Sequence, residues 1–299
     1  MEYFTIKDIE HLSGIKAHTL RIWEQRYDVF TPQRKTSKHR IYDNDDLKQL
    51  LRIAFLYHNG WKISKIAALN PSQIAAEVRS YEINSKSYKT FIIQMIEAAV
   101  DFDEEKFVQI IDVIEEKIGF EKCIAEVCYP YLNRIGMLWV TSNVIPAQEH
   151  FSSYIIQNRI IARTESLATE IIAPSIVLLS PKGEYHELPL LFINYLLRKN
   201  GWQVIYLGVN VQKEIVQQII SSKEVEYIFV HQLTNLSGWE ANGYFEDFCK
   251  TFPSKKIVAA GAVVQQLQRS FINLTVLKSD KDVYAFIEGN KTAVKANPI

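Results

Sequence analysis

The sequence predicts a multidomain protein of α and α/β class: a winged helix-turn-helix head, a four-helix bundle, and a doubly wound parallel, Rossmann-like α/β domain. Three observations predict it. Two short helical segments broken at Ser13-Gly14-Ile15 open the chain and run into a basic stretch. Residues 88–168 then keep a helical period with hardly a glycine, and from Pro174 onward short β-branched runs alternate with helical ones. A chain of 299 residues suits two or three domains. The expected boundaries are a head over 1–75, a linker over 76–87, a bundle over 88–170 and an α/β domain over 171–292.

Composition excludes several classes. With 47% hydrophobic and 23% charged residues the chain is globular rather than disordered or fibrous. The formal net charge is zero, so any affinity for nucleic acid must come from a local basic patch. Cys123, Cys128 and Cys249 form no metal-ligand pattern and do not pair evenly, which suits a reducing cytoplasm. No apolar run is long enough to cross a bilayer, so no membrane partner is expected.

In the head, Thr5 is a plausible N-cap with Asp8 three residues on, and Ile6, Ile9 and Leu12 recur at helical spacing. Gly14 gives the tight turn. A second helix over 17–27 has Leu20, Ile22 and Trp23 for its inner side, while Lys16, His18, Thr19 and Arg21 lie near its amino end or on its polar face. Such a face meets base edges and phosphates. Pro32 ends regular structure, and Arg34, Lys35, Lys38, His39 and Arg40 follow without an intervening acid, with Thr36-Ser37 as the turn of a hairpin wing. A basic loop by itself reads as a solvated face. Joined to a helix pair, it reads as a grip on the phosphate backbone.

Several features fall in order: Thr19-Leu20-Arg21, Trp23-Glu24, Arg40-x-Tyr42, an acidic helix start at Asp43 to Asp46, and Gly60 before Ile63 and Ile66. With them, residues 3–75 resemble the winged-helix DNA-binding domain of MerR-type transcription regulators. The resemblance implies a double-stranded DNA operator as partner and Arg21, Arg40 and Tyr42 as contact positions.

Beyond the wing, a helix over 45–57 uses Leu47, Leu50, Leu51 and Ala54, a short helix over 64–69 stops at Asn70-Pro71, and 72–87 is a polar, partly helical connector. Bundle helices are expected at 88–100, 104–117, 120–139 and 146–168, with Asp103 as an N-cap and Pro146 in a first turn. Strands follow at 175–180, 203–207, 227–231, 256–260 and 274–276, and helices at 187–200, 211–222, 239–251 and 281–289. Ligands in such sheets bind beyond the strands' carboxyl ends, which places any site in loops 181–186, 208–210, 232–238 and 261–264. Residues from 289 onward read as a tail.

The first of those loops carries Glu184-x-His186, and the bundle carries Trp139 followed by Glu149-His150. Read alone, these are a surface pair, a core aromatic and a solvated helix start. Together, after such a head, they resemble the cobalamin-binding module of methionine synthases and of the light-sensing repressors of the CarH and LitR type. The resemblance implies cobalamin, in adenosyl or related form, as cofactor. It implies His186 as the ligand to cobalt, Glu184 as the carboxylate fixing its tautomer, and Trp139, Glu149 and His150 as the cover of the upper face. The family's Ser-x-Leu becomes His231-Gln232-Leu233 and its Gly-Gly becomes Ala260-Gly261, so His231, Leu233 and Gly261 are the matching cofactor positions. A further family glycine is Pro189. Val140 stands where the photoreceptors carry a histidine, so an altered or absent light response is expected.

The chain thus reads as a transcription regulator, a repressor in direction, that works as a dimer or tetramer and is not an enzyme. Two alternatives stay open: a ligand-independent regulator whose module serves oligomerisation or protein interaction, and, remotely, a cobalamin-dependent enzyme.

Overall fold

The computed structural model describes residues 4–290 apart from 28, 31–32, 35–39, 59, 83–87, 141–145, 169 and 235–240. The chain divides into two compact units, Met1–Ile156 and Gln157–Ile299.

The first unit opens with helices α1 (Ile6–Ser13) and α2 (Ala17–Tyr27), turned about Gly14 at a φ of +70°. Strands β1 (Gln33–Arg34) and β2 (Arg40–Ile41) pair antiparallel as the base of the wing, and Phe4 bridges Tyr42. The wing turn at Thr36-Ser37 and His39 lie outside the described residues. Helix α3 (Asn44–His58) starts as its acidic sequence requires: Asp46 N–H donates to Asp43 Oδ1 at 2.9 Å and Asp43 N–H donates back to Asp46 Oδ2 at 3.1 Å. Helix α4 (Ile63–Ile66) follows.

The connector is helical over much of its length. Asn70-Pro71 does not only stop a helix; it starts α5 (Pro71–Glu82), because Asn70 and Gln73 make the same reciprocal cap at 2.9 Å each way and proline is at home in a first turn. Ile74 and Val78, one turn apart, are buried and hold this helix down.

The bundle comprises α6 (Lys89–Val100), α7 (Glu104–Ile118), α8 (Phe120–Lys122), α9 (Tyr129–Val140) and α10 (Pro146–Glu165). Asp103 caps α7 by accepting from Lys106 N–H at 3.0 Å. Between α8 and α9 the helix widens into a π-helical turn, Cys123–Cys128, which periodicity over 120–139 does not reveal. Head and bundle are joined by charge. Arg52 of α3 donates through Nε and one Nη to both oxygens of Glu97 on α6, 2.9 Å each, and Lys48 pairs with Asp101 at 2.8 Å. Glu97 is only 5% exposed.

The second unit is a parallel five-stranded sheet with helices between its strands: β3 (Ser175–Pro181), α11 (Glu187–Lys199), β4 (Gln203–Val211), α12 (Lys213–Ser222), β5 (Tyr227–His231), α13 (Ala241–Thr251), β6 (Lys256–Ala260), β7 (Leu274–Leu277) and α14 (Asp280–Gly289). The strand order is β4-β3-β5-β6-β7, so the winding reverses between β3 and β5. Val177, Leu179, Ile228 and Val230 point to one face and pack with Val216 of α12 and Phe245 and Phe248 of α13. The alternate residues point the other way, where Phe229 meets Phe286 of α14 at 6.1 Å between rings. Ser279 and Asp282 form a capping box that starts α14. Among the described residues no helix is long and apolar enough to cross a membrane.

Candidate functional site

Two surfaces carry the sequence-predicted residues. On α2, His18 and Arg21 are exposed, Thr19 is half-buried, and Leu20 and Trp23 are buried, so the polar face expected of a recognition helix is the one that faces out. Gln25 and Arg26 extend that face and were not singled out in the sequence, although one and two turns from His18 and Arg21 they fall on the same side. Lys16 is exposed and paired with Glu10 at 2.9 Å; the same carboxylate accepts from Ala17 N–H at 3.0 Å, fixing the turn into α2.

The wing residues differ. Lys35 and Lys38 lie outside the described residues, and of Arg34 only the backbone, in β1, is described. Arg40 is engaged inward: its Nε donates to Glu24 Oε2 at 2.6 Å, tying β2 to α2, and that bond holds the guanidinium pKa above its usual value against the effect of burial. Tyr42 is 1% exposed, its hydroxyl has no hydrogen-bond partner among the described residues, and burial pushes its pKa up to about 12. In the protein by itself Arg40 thus pairs with Glu24 and Tyr42 lies in the core of the head. One braces the wing and the other fills the head, 6.1 Å from the Phe30 ring, because an aromatic ring at the Phe4 bridge is the largest group available to close that core.

The second surface lies at the carboxyl end of the sheet. Glu184, in the loop after β3, is fully buried yet ionised, and five donors explain how. Its Oε1 accepts from His186 N–H at 2.9 Å and from His186 Nδ1 at 2.6 Å. Its Oε2 accepts from Leu233 N–H at 2.9 Å, Thr234 N–H at 2.6 Å and Thr234 Oγ1 at 3.2 Å. Burial alone would raise its pKa; the bonds from His186 and Thr234 outweigh that and hold it at about 2. One carboxylate therefore clamps the loop after β3 to the loop after β5. Thr234 was missed in the sequence, since nothing in its spacing marks it. Asn210, at a φ of +57°, supports the same loop by donating to the Glu184 carbonyl at 2.9 Å and accepting from Gly183 N–H at 3.0 Å.

His186 itself is half-exposed at the start of α11, and Tyr185 and Leu233 beside it are exposed apolar groups. Donation from Nδ1 to Glu184 puts the ring's lone pair on Nε2, the atom a metal would take. Among the described residues no three His, Cys, Asp or Glu side chains converge to cage a metal.

His231 ends β5 at 6% exposure with Nδ1 unpartnered among the described residues; burial depresses its pKa to about 4, so it is a neutral imidazole. Gly261 leaves no empty space. A Cβ there would stand 2.1 Å from the Gln232 carbonyl oxygen, and Gln232 N–H donates to Ala260 O at 2.9 Å, so the glycine permits two backbones to touch. With a φ of +110° and no room, Gly261→Ala is expected to lower stability by about 2–4 kcal/mol, read as a drop in the thermal midpoint.

Of the residues expected to cover a cofactor's upper face, Glu149 and His150 open α10 and pair at 3.1 Å, with His150 largely exposed. Trp139 and Val140 belong to α9 by backbone, and their side chains lie outside the described residues.

Residues 4–73 match the MerR HTH family of regulatory proteins and residues 92–163 match the B12 binding domain family. The HTH-type transcriptional repressor CarH of Myxococcus xanthus is 24% identical over 251 residues, covering 82% of each chain. The repressor CarA of the same organism is 24% identical over 214 residues, covering 71% of this chain and 70% of that one. Among solved structures, the monomethylamine corrinoid protein of Methanosarcina barkeri superposes with a TM-score of 0.50 at 12% identity, over 68% of this chain and 99% of that chain, a likeness of fold.

Proposed function

We propose that this chain, homologous to the CarH and CarA repressors and carrying a MerR helix-turn-helix domain with a B12-binding domain, is a sequence-specific transcription regulator, a repressor, controlled by cobalamin. The observation that carries the sensor half is the buried Glu184 carboxylate. It fixes His186 Nδ1 as donor, so Nε2 is the ligating atom, and it ties that histidine to the loop at Leu233-Thr234. A bound corrinoid would supply a cobalt centre, and His186 Nε2 is the nitrogen that would hold it. The chain's own residues set the imidazole's tautomer and angle and shield the carboxylate from water.

Control then acts through assembly. One head offers few contacts; two heads on a two-fold operator double the phosphate contacts and set half-site spacing. A ligand shifts such an equilibrium only by binding one assembly state better than the other. We take the self-associated form, dimer or tetramer, as the DNA-binding one.

A second reading has a specific observation behind it. His231 is buried and Gly261 is closed against Gln232, as in a module that no longer opens for a ligand and serves association alone. One experiment separates the two. Purified full-length protein is mixed with adenosylcobalamin in the dark, desalted, and its visible spectrum recorded beside a DNA mobility shift. Retained cobalt absorbance that disappears in His186→Ala supports the sensor; a colourless protein that still shifts DNA supports the second reading. Arg21→Ala is expected to weaken operator binding by about 1–3 kcal/mol without changing corrinoid retention.

A further inference from the structure

Within the first unit, where α1 and α3 of the head meet α6 and α9 of the bundle, the surface dips into a cavity of about 20 Å³. Leu51 and Phe55 of α3 and Ile93 of α6, all buried, make its apolar floor. Around that floor stand Ser13 of α1, His58 of α3, Lys89 of α6 and Arg134 of α9. Among the described residues lining it, none is acidic.

Arg134 sets the chemistry. Its guanidinium carries five N–H donors, the residue is half-buried, and among the described residues it has no hydrogen bond or ion pair. Burial presses its pKa below the ordinary value, and no carboxylate restores it. The other cations of this region are matched: Arg40, Lys48 and Arg52 each hold a carboxylate, at 2.6, 2.8 and 2.9 Å. A charge drawn partly out of water without a counter-charge is costly, so this one calls for an anion.

A second donor faces the same space. Ser13 is 6% exposed, and its Oγ accepts from Ile15 N–H at 3.1 Å, which leaves the hydroxyl hydrogen to give. His58 donates Nε2–H to the Ser13 carbonyl at 2.9 Å and so fixes the end of α1 against α3 beside the cavity. Exposed Lys89 puts another positive charge at the rim.

We infer that this cavity binds one small inorganic anion of the size and charge of chloride, held by Arg134 and Ser13 with Lys89 at the mouth, and that the bound ion ties the head to the bundle. Size and charge both select it. A volume of about 20 Å³ admits a water or two or one small ion and excludes an organic ligand. Two cationic side chains with no acid between them exclude a metal cation, and the apolar floor strengthens the attraction by lowering the local dielectric. The inference is independent of the corrinoid reading, which none of these four side chains enters.

The test dialyses full-length protein, without DNA, into sodium gluconate, whose anion is too large for the cavity. Chloride then replaces gluconate at constant ionic strength while the chlorine NMR line width and the thermal midpoint are followed. The wild type is expected to broaden the line saturably and to gain in midpoint, since at ten times its dissociation constant a bound ion favours the folded unit about elevenfold. Arg134→Met keeps the stem without the charge and is expected to weaken binding about tenfold or more and to abolish the gain. Lys89→Met, a change at the exposed rim, is expected to weaken binding about two- to fivefold and serves should the first variant not fold. Broadening that does not saturate, or that Arg134→Met retains in full, overturns the inference and leaves Arg134 a hydrated guanidinium over a water-filled cavity. An equal midpoint gain in wild type and Arg134→Met is a general effect of salt and overturns it as well.

Discussion

Glu184→Ala is expected to cost the protein its corrinoid and much of the stability of its second unit together. Removing the carboxylate leaves His186 N–H, Leu233 N–H, Thr234 N–H and Thr234 Oγ1 without their acceptor in a place where Glu184 itself sees no solvent. Each buried unpaired donor costs about 1–3 kcal/mol, and water entering the space recovers part, so a loss of roughly 3 kcal/mol or more is expected in chemical unfolding. Corrinoid affinity should fall about 10–100-fold, the usual consequence of removing the group that orients a metal-bound histidine. Glu184→Gln keeps the volume but turns an amide toward donors, so it should also release ligand while unfolding less. An alanine variant that keeps both its midpoint and its cobalt absorbance would sink the assignment.

The same carboxylate has a pH signature. Its folded pKa of about 2 is below the ordinary 4.5, so the stability it contributes is present above 4.5 and lost as the pH falls toward 2. His231 acts in a separate window. Its folded pKa of about 4 is below the usual 6.5, the unfolded chain binds the proton more readily, and stability therefore declines as the pH falls from 6.5 to 4. Unfolding free energies measured across both windows should show two limbs, with His231→Phe removing the upper one and Glu184→Ala the lower one.

The second large effect is expected at the join of head and bundle. Glu97→Ala leaves Arg52 without its bidentate partner, and Arg52→Ala leaves a carboxylate that is 5% exposed with Lys106 Nζ, 4.0 Å away, as its remaining cation. Breaking a buried pair from one side costs about 3–5 kcal/mol, whereas replacing both partners with apolar groups is often neutral. Arg52→Met with Glu97→Leu should therefore recover most of the stability that either single alanine variant loses. Operator affinity should follow the same order if the pair holds the head in its binding orientation. Equal stability of wild type and both single variants would show the pair to be incidental.

Much of this was legible in the chain. The reading head, the bundle helices and the five strands are local patterns: Ile9 and Leu20 at helical spacing, Asp43 and Asp103 as caps, and SIVLLS or YIFVH as buried runs. Glu184-x-His186 could be read because two residues of one loop make the pair. The start of α5 at Asn70-Pro71 is harder to read in the sequence because the same proline ends one helix and begins the next, and the Gln73 cap with the burial of Ile74 and Val78 decides the second role.

What the sequence by itself determined, then, is which segments are helix or strand and which residue types stand at each loop, since periodicity, capping and turn chemistry act within a few residues. The tertiary structure alone decided that Arg40 and Tyr42 turn inward, that Thr234 joins the Glu184 clamp, and that Arg52 meets Glu97. Each of those depends on residues 16 to 50 positions apart being brought side by side by packing, and no local rule records which distant partner a buried polar group will find.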